Sequence, residues 1–184
     1  MLGSSFPHPV TPTPVVSQWF TLYTKTLTSG AVFTGYTMRA MSATSVYDSG
    51  APATATQVRV TIQSHLTLNG AAWDHIYVGH AASSGDAYDF DGTQVQLLWS
   101  GSAAGSIAVG STLTSDAVTY AFDKTKALII AGHFTTPAAL RADAFAGFSR
   151  AYKAAVDESA TTDVTGYTVD ASNLSGFSKV EVYG

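Results

Sequence analysis

The chain contains no cysteine, which excludes disulfides and cysteine-based zinc sites and leaves stability to packing or to assembly with other chains. Charge is scarce as well. Asp, Glu, Lys and Arg make up 12% of the 184 residues, about half the usual share of a soluble domain. The nine Lys and Arg are scattered singly and the net charge is −4, so no basic stripe exists to neutralise a run of phosphates, and no nucleic-acid partner is expected. Long apolar runs are missing too. The longest, Ala127-Leu128-Ile129-Ile130-Ala131, is far short of the ~20 residues that span a bilayer. The first residues, Met1-Leu2-Gly3-Ser4-Ser5-Phe6-Pro7, lack the basic and apolar regions of a secretory signal. The sequence predicts neither a membrane partner nor a Sec substrate.

In place of charge stand small neutral residues: Ala, Ser, Thr and Gly fill about half the chain, a composition suited to turns and half-buried strands. Proline is concentrated at one end. Pro7, Pro9, Pro12 and Pro14 are four of the six, and each fixes φ and removes a backbone donor. Residues 1–16 therefore read as an extended arm, mobile by itself or docked on a neighbouring subunit through Phe6, Val10, Val15 and Val16. Residues 17–184 form the second unit.

From residue 17 onward the pattern is strand after strand. In 57–63, Val58, Val60 and Ile62 alternate with Gln57, Arg59, Thr61 and Gln63, the period-2 sign of one face in a core and one in water. Asn69-Gly70 then predicts a hairpin turn into a strand over 73–81, because both positions tolerate positive φ. Further strands are expected at 19–27, 36–42, 94–99, 106–109, 117–122, 128–134, 148–153 and 177–183, separated by Gly, Ser, Asp and Asn clusters. Leu128-Ile129-Ile130 lacks alternation, as a strand buried on both sides should. One helix is expected, over 137–147, where Pro137 precedes Ala, Leu and Arg. About ten strands at this length predict an all-β, antiparallel β-sandwich of jelly-roll-like architecture. Sheet edges without charge invite pairing, so a homo-oligomer is expected.

The most distinctive stretch is Ile76-Tyr77-Val78-Gly79-His80-Ala81-Ala82-Ser83-Ser84-Gly85-Asp86-Ala87-Tyr88-Asp89-Phe90-Asp91-Gly92. With the 57–63 strand before it and 94–99 after it, this stretch resembles a segment of structural proteins of tailed phages, prophages and gene-transfer agents, including tail-fibre and head-spike components. Phe122-Asp123-Lys124-Thr125-Lys126-Ala127-Leu128-Ile129-Ile130-Ala131 and Ser178-Lys179-Val180-Glu181-Val182 look like later parts of the same pattern, so the resemblance covers residues 56–184. It implies a non-enzymatic virion protein with a jelly-roll-like domain, a head spike, fibre or decoration or a tail appendage. It also implies trimeric symmetry and contacts with other virion proteins. It carries over no functional residues and does not reach the proline-rich arm, whose docking set reads Phe6, Pro7, Pro9, Val10, Pro12, Pro14, Val15 and Val16.

Only two glutamates exist, Glu158 and Glu181, and no Gly-x-Ser-x-Gly elbow or glycine-rich phosphate loop is present. Asp86, Asp89 and Asp91 lie too close in one loop to flank a sugar from opposite sides, so no enzyme is expected. Asp89-x-Asp91-Gly92 does place hard oxygen ligands on alternate residues before a turn, as calcium loops require, but the further acidic ligand and the later Glu are missing. The bland reading is a hydrogen-bonded turn, with no cofactor. His75 and His80 are five apart and should face opposite ways in a strand, while His65, His80 and His133 could meet only across strands. Trp73, Tyr77, Tyr88 and Trp99 could stack on a bacterial surface glycan if exposed, the alternative function; large aromatics in strands more often bury.

Overall fold

The computed structural model describes residues 17–33, 35–135 and 138–184. The arm residues Phe6, Pro7, Pro9, Val10, Pro12, Pro14, Val15 and Val16 lie outside them. Strands take 56% of the chain and helix 2%, in two antiparallel sheets packed as a sandwich. The first sheet runs β1 (Trp19–Thr24), β13 (Phe177–Tyr183), β4 (Thr54–Gln63), with β8 (Thr112–Thr114) and β9 (Val118–Asp123) both pairing on β4. The second runs β12 (Thr168–Ser175), β11 (Ala138–Ala154), β3 (Tyr36–Ser42), β10 (Leu128–Phe134), β5 (Ala71–His80), β6 (Val95–Gln96). Beside that path, β2 (Ser29–Phe33) pairs with β11 and β7 (Gly105–Ile107) with β5. Among the described residues no helix is long and apolar enough to cross a membrane.

Alternation builds the core as the sequence predicts. Val58, Val60 and Ile62 of β4 and Val180 and Val182 of β13 are fully buried against Met38, Trp73, Ile76, Val78 and Ile130 of the second sheet. Each such side chain contributes about 1.5–3 kcal/mol by leaving water. Trp73 and Trp99 meet edge to face inside, 4.7 Å between ring centroids. The unalternating β10 is the central strand: Leu128 and Ile130 enter the sandwich core, whereas Ile129 and Ala131 enter a second cluster on the sheet's other face.

Two expectations are corrected. Residues 138–147 are not a helix but the first part of β11, paired with β2 and with the end of β12. Leu140 and Ala142 are buried while Arg141 and Asp143 are not, so a period-2 pattern was hidden in Ala-rich sequence whose local helix preference loses to strand pairing. The Asn69-Gly70 turn does not close a hairpin. β4 pairs only within the first sheet and β5 only within the second, so 64–70 is a crossover between sheets. Ser64 pins it by donating to the carbonyls of Ala108 (2.6 Å) and Ser111, and Gly70 sits so close to the Ile107 carbonyl that a Cβ would lie 2.2 Å from it. The strand expected over 94–99 shrinks to β6, and β2, β8 and β12 are additional.

Candidate functional site

The second sheet's outer face carries the segments that the sequence singled out. Strand register sets its side chains in rows. Tyr77, Ala131, Arg39, Ala151 and Val169 lie abreast across five strands, and Gly79, Ile129, Met41, Ser149 and Ala171 form the next row. Small residues in these rows leave room for two loops, 81–94 and 155–167, to lie on the sheet. Phe90 presses onto Gly79 so closely that a Cβ there would stand 2.8 Å from the ring. Phe90, Tyr88, Val164 and Tyr167 bury themselves over Met41, Ile129, Ala131 and Ala151 as a second small core.

Arg39 holds this layer together. Its side chain is fully buried; Nη1 donates to the Tyr88 carbonyl at 2.7 Å, and Nη2 donates to the carbonyls of Glu158 (2.9 Å) and Thr161. The guanidinium lies 4.8 Å from the centroid of Phe90 and 5.7 Å from that of Tyr167, within cation–π range. Burial pushes its pKa below the ordinary value, against the opposing pull of Tyr167, Asp89 and Glu158. The planar fork of donors serves carbonyls on both loops at once from a fixed geometry. Beside it, Thr37 Oγ1 donates to the Val156 carbonyl and accepts from the Glu158 N–H.

The three aspartates of the candidate calcium loop are spent on this architecture. Asp89 is buried, accepting the Val164 N–H at 3.0 Å through Oδ1 and the Asp86 N–H at 2.8 Å through Oδ2. Asp86 Oδ2 accepts from the Tyr88 hydroxyl. Asp91 accepts from the Thr93 N–H and hydroxyl and from Lys126 Nζ at 2.8 Å. Burial raises the Asp91 pKa, but hydrogen bonds from Lys126 and Thr93 outweigh it and hold the carboxyl below its usual range. Among the described residues no group of three or more His, Asp or Glu is placed to hold a metal ion.

Nor do the four aromatic candidates converge. Trp73 and Trp99 are inside the sandwich, Tyr88 is buried beside Tyr167, and Tyr77 is half-buried against the outer cluster. His65, His80 and His133 do not meet across the strands. His65 Nδ1 accepts two N–H groups in its own crossover loop. On the outer face His75 and His133 are cross-strand partners, set there by alternation with Tyr77 and Ala131; His75 Nδ1 lies 3.3 Å from Asp157, and His133 Nδ1 lies 3.2 Å from Asp74 and 3.9 Å from Asp157.

His80 points the other way, into the sandwich. It is buried between Tyr120 and Phe122, and its Nε2 accepts the Asp123 N–H at 3.1 Å. That bond fixes the proton on Nδ1, which faces Asp91 at 4.0 Å, and burial lowers the His80 pKa below its ordinary value. Above His80 a cleft of about 310 Å³ is walled by Ser83, Asp91, Thr125 and Lys126, whose charged groups already pair with each other.

The two loops leave one corner of the outer face open. There β3, β11 and β12 border a groove of about 330 Å³ whose lining includes Met41, Ala87, Ser149 and Ala171, while the Phe148 ring turns inward to Tyr23. Sequence reasoning passed over Arg39 and the 155–167 loop. The available signal was a lone Arg in the otherwise uncharged strand 36–42. No family model and no curated protein matches the chain.

Proposed function

We propose that this chain is a non-enzymatic structural protein of a tailed phage or phage-like particle, a head spike, fibre or decoration or a tail appendage component. It works by assembly, with itself and with other virion proteins, and residues 1–16 attach it to neighbouring subunits. The observation that carries this reading is the state of the sheet edges. β1 (WFTLYT) and β8 (TLT) contain no charged residue, and β12 contains only Asp170. Isolated sandwiches protect such edges with Lys, Glu or Pro, so these edges suit contacts with other subunits. The composition and the phage-like pattern of 56–184 support the same reading. The polar groups of the singled-out segment fit it too: Arg39, Asp89, Asp91 and Lys126 are engaged in holding loops in place.

The carbohydrate-binding alternative requires ring faces on the surface, and Trp73 and Trp99 offer none. The assembly reading is tested by gold-labelled antibody against the chain, applied to purified particles and viewed by electron microscopy. Regular decoration of head or tail is the expected result; chain found only free of particles overturns the reading.

A further inference from the structure

We infer that His75 and His133 form a two-imidazole chelate for a divalent transition ion of the zinc, nickel and copper class. The inference goes beyond the assembly reading and does not depend on it. The two residues are directly opposed on β5 and β10, and on one face of an antiparallel pair such positions set their Cβ atoms about 4.5–5.5 Å apart. Side chains that start so close can bring two ring nitrogens to the about 3.3 Å that separates tetrahedral ligands with Zn–N bonds of about 2.0–2.1 Å. The His75 side chain is 42% exposed and that of His133 17%, so an ion reaches the pair from solvent.

The hydrogen bonds decide which nitrogen meets the ion. His75 Nδ1 lies 3.3 Å from Asp157 Oδ2, and His133 Nδ1 lies 3.2 Å from Asp74 Oδ2 and 3.9 Å from the same Asp157 oxygen. An ionised carboxylate only accepts, so these contacts place the ring proton on Nδ1 and leave the lone pair on Nε2. Among the described residues no hydrogen bond occupies either Nε2. Metal-ligating histidines turn their second N–H to a carboxylate in this way, which fixes the ring and raises its basicity.

The carboxylates are themselves held in place. Asp157 Oδ1 accepts the Ser159 N–H at 3.2 Å and its hydroxyl at 2.7 Å. Asp74 is left outside the β5–β10 ladder by the register shift between His133 and Phe134, and its carboxylate turns to His133. Two negative charges beside the imidazoles favour a cation.

The same reasoning closes the other described histidines to metal. His65 Nδ1 accepts two backbone N–H groups, which puts its proton on Nε2. His80 is buried, and its Nε2 already accepts the Asp123 N–H. The chelate therefore has two protein ligands, consistent with the absence of a three-ligand group among the described residues, and water completes the shell. Imidazole nitrogen selects zinc, nickel or copper, whereas calcium and magnesium take oxygen ligands.

The test is calorimetric titration of zinc chloride into untagged full-length protein, prepared free of metal, in a non-coordinating buffer at pH 7.5. The expected result is saturable binding that His75→Gln and His133→Gln each weaken about ten-fold or more, that His65→Gln leaves unchanged, and that calcium chloride does not reproduce. Far-ultraviolet circular dichroism confirms that the variants are folded. Nitrogen-15 spectra of the imidazoles should show zinc shifting Nε2 of His75 and His133. Binding that survives both substitutions, or that only one of them weakens, overturns the chelate, as does the lack of saturable binding at millimolar zinc. Coordination through Nδ1 overturns the assignment of the lone pairs on which the inference stands.

Discussion

The guanidinium of Arg39, fully buried, donates to the backbone carbonyl of Tyr88 at 2.7 Å, so a strand in the middle of the second sheet holds a loop that packs across that sheet's outer face. The same side chain reaches Glu158 and Thr161 on the other covering loop. Substituting Arg39→Met keeps apolar bulk but leaves three carbonyls short of a donor, at about 1–3 kcal/mol for each group left unsatisfied. The expected outcome is a loss of about 3 kcal/mol or more in urea unfolding, with amide protection falling first in 81–94 and 155–167. Equal loss of protection throughout the sandwich core would show that Arg39 is not a local clamp.

Asp89 is part of the same layer, which separates a structural role from a calcium role. Asp89→Asn retains one acceptor oxygen but sets an amide against a second N–H, so it should cost about 1–3 kcal/mol. The native melting temperature should be the same with and without chelator. A chelator-dependent drop that disappears in Asp89→Asn is the mass-action signature of a bound cation and would contradict this assignment.

Gly79 is where the covering loop comes nearest the sheet. In Gly79→Ala the new methyl would meet Phe90 and Gln94 at 2.8 Å, an overpacking that costs about 1–3 kcal/mol. Near-ultraviolet circular dichroism should change as Phe90 and Tyr88 lift, while the far-ultraviolet strand signal stays.

His80 gives the fold a pH dependence of definite sign. Its folded pKa is below 6.5 because of burial, so the unfolded chain binds the proton more readily. The contribution is complete above about pH 6.5 and falls as pH drops below that toward the lowered folded value. Asp91 and Glu181, held below their usual range by cationic neighbours, act in a more acidic window. Stability measured by urea unfolding should therefore decline from pH 6.5 to 5, and the decline should be shallower in His80→Gln, which keeps an acceptor for the Asp123 N–H. An identical slope in both would show that His80 is not its source.

The parts of the molecule that were readable in sequence are those where burial follows a local period. β4 with its valines, β3, and the doubly buried β10 appear where alternation or its absence placed them. In β11 the strand expected over 148–153 is present, but 138–147 was misread because alanine suits either environment and its strand state depends on partners distant in sequence. Asn69-Gly70 has the dipeptide of a hairpin, yet whether a turn joins strands of one sheet or crosses between two is decided by tertiary packing. The site shows the same division. That Asp86, Asp89 and Asp91 belong to a structured loop was legible, whereas the Val164 partner of Asp89 and the role of Arg39 depend on a loop more than 60 residues downstream whose Ser, Thr and Asp carry no periodic signal.

The central claim is that this sandwich exists to assemble, and the mass of the full-length protein in solution tests it most directly. Native mass spectrometry at micromolar concentration should give three times the 19.2 kDa chain mass. A single species at 19.2 kDa, unchanged as concentration rises, would contradict the account.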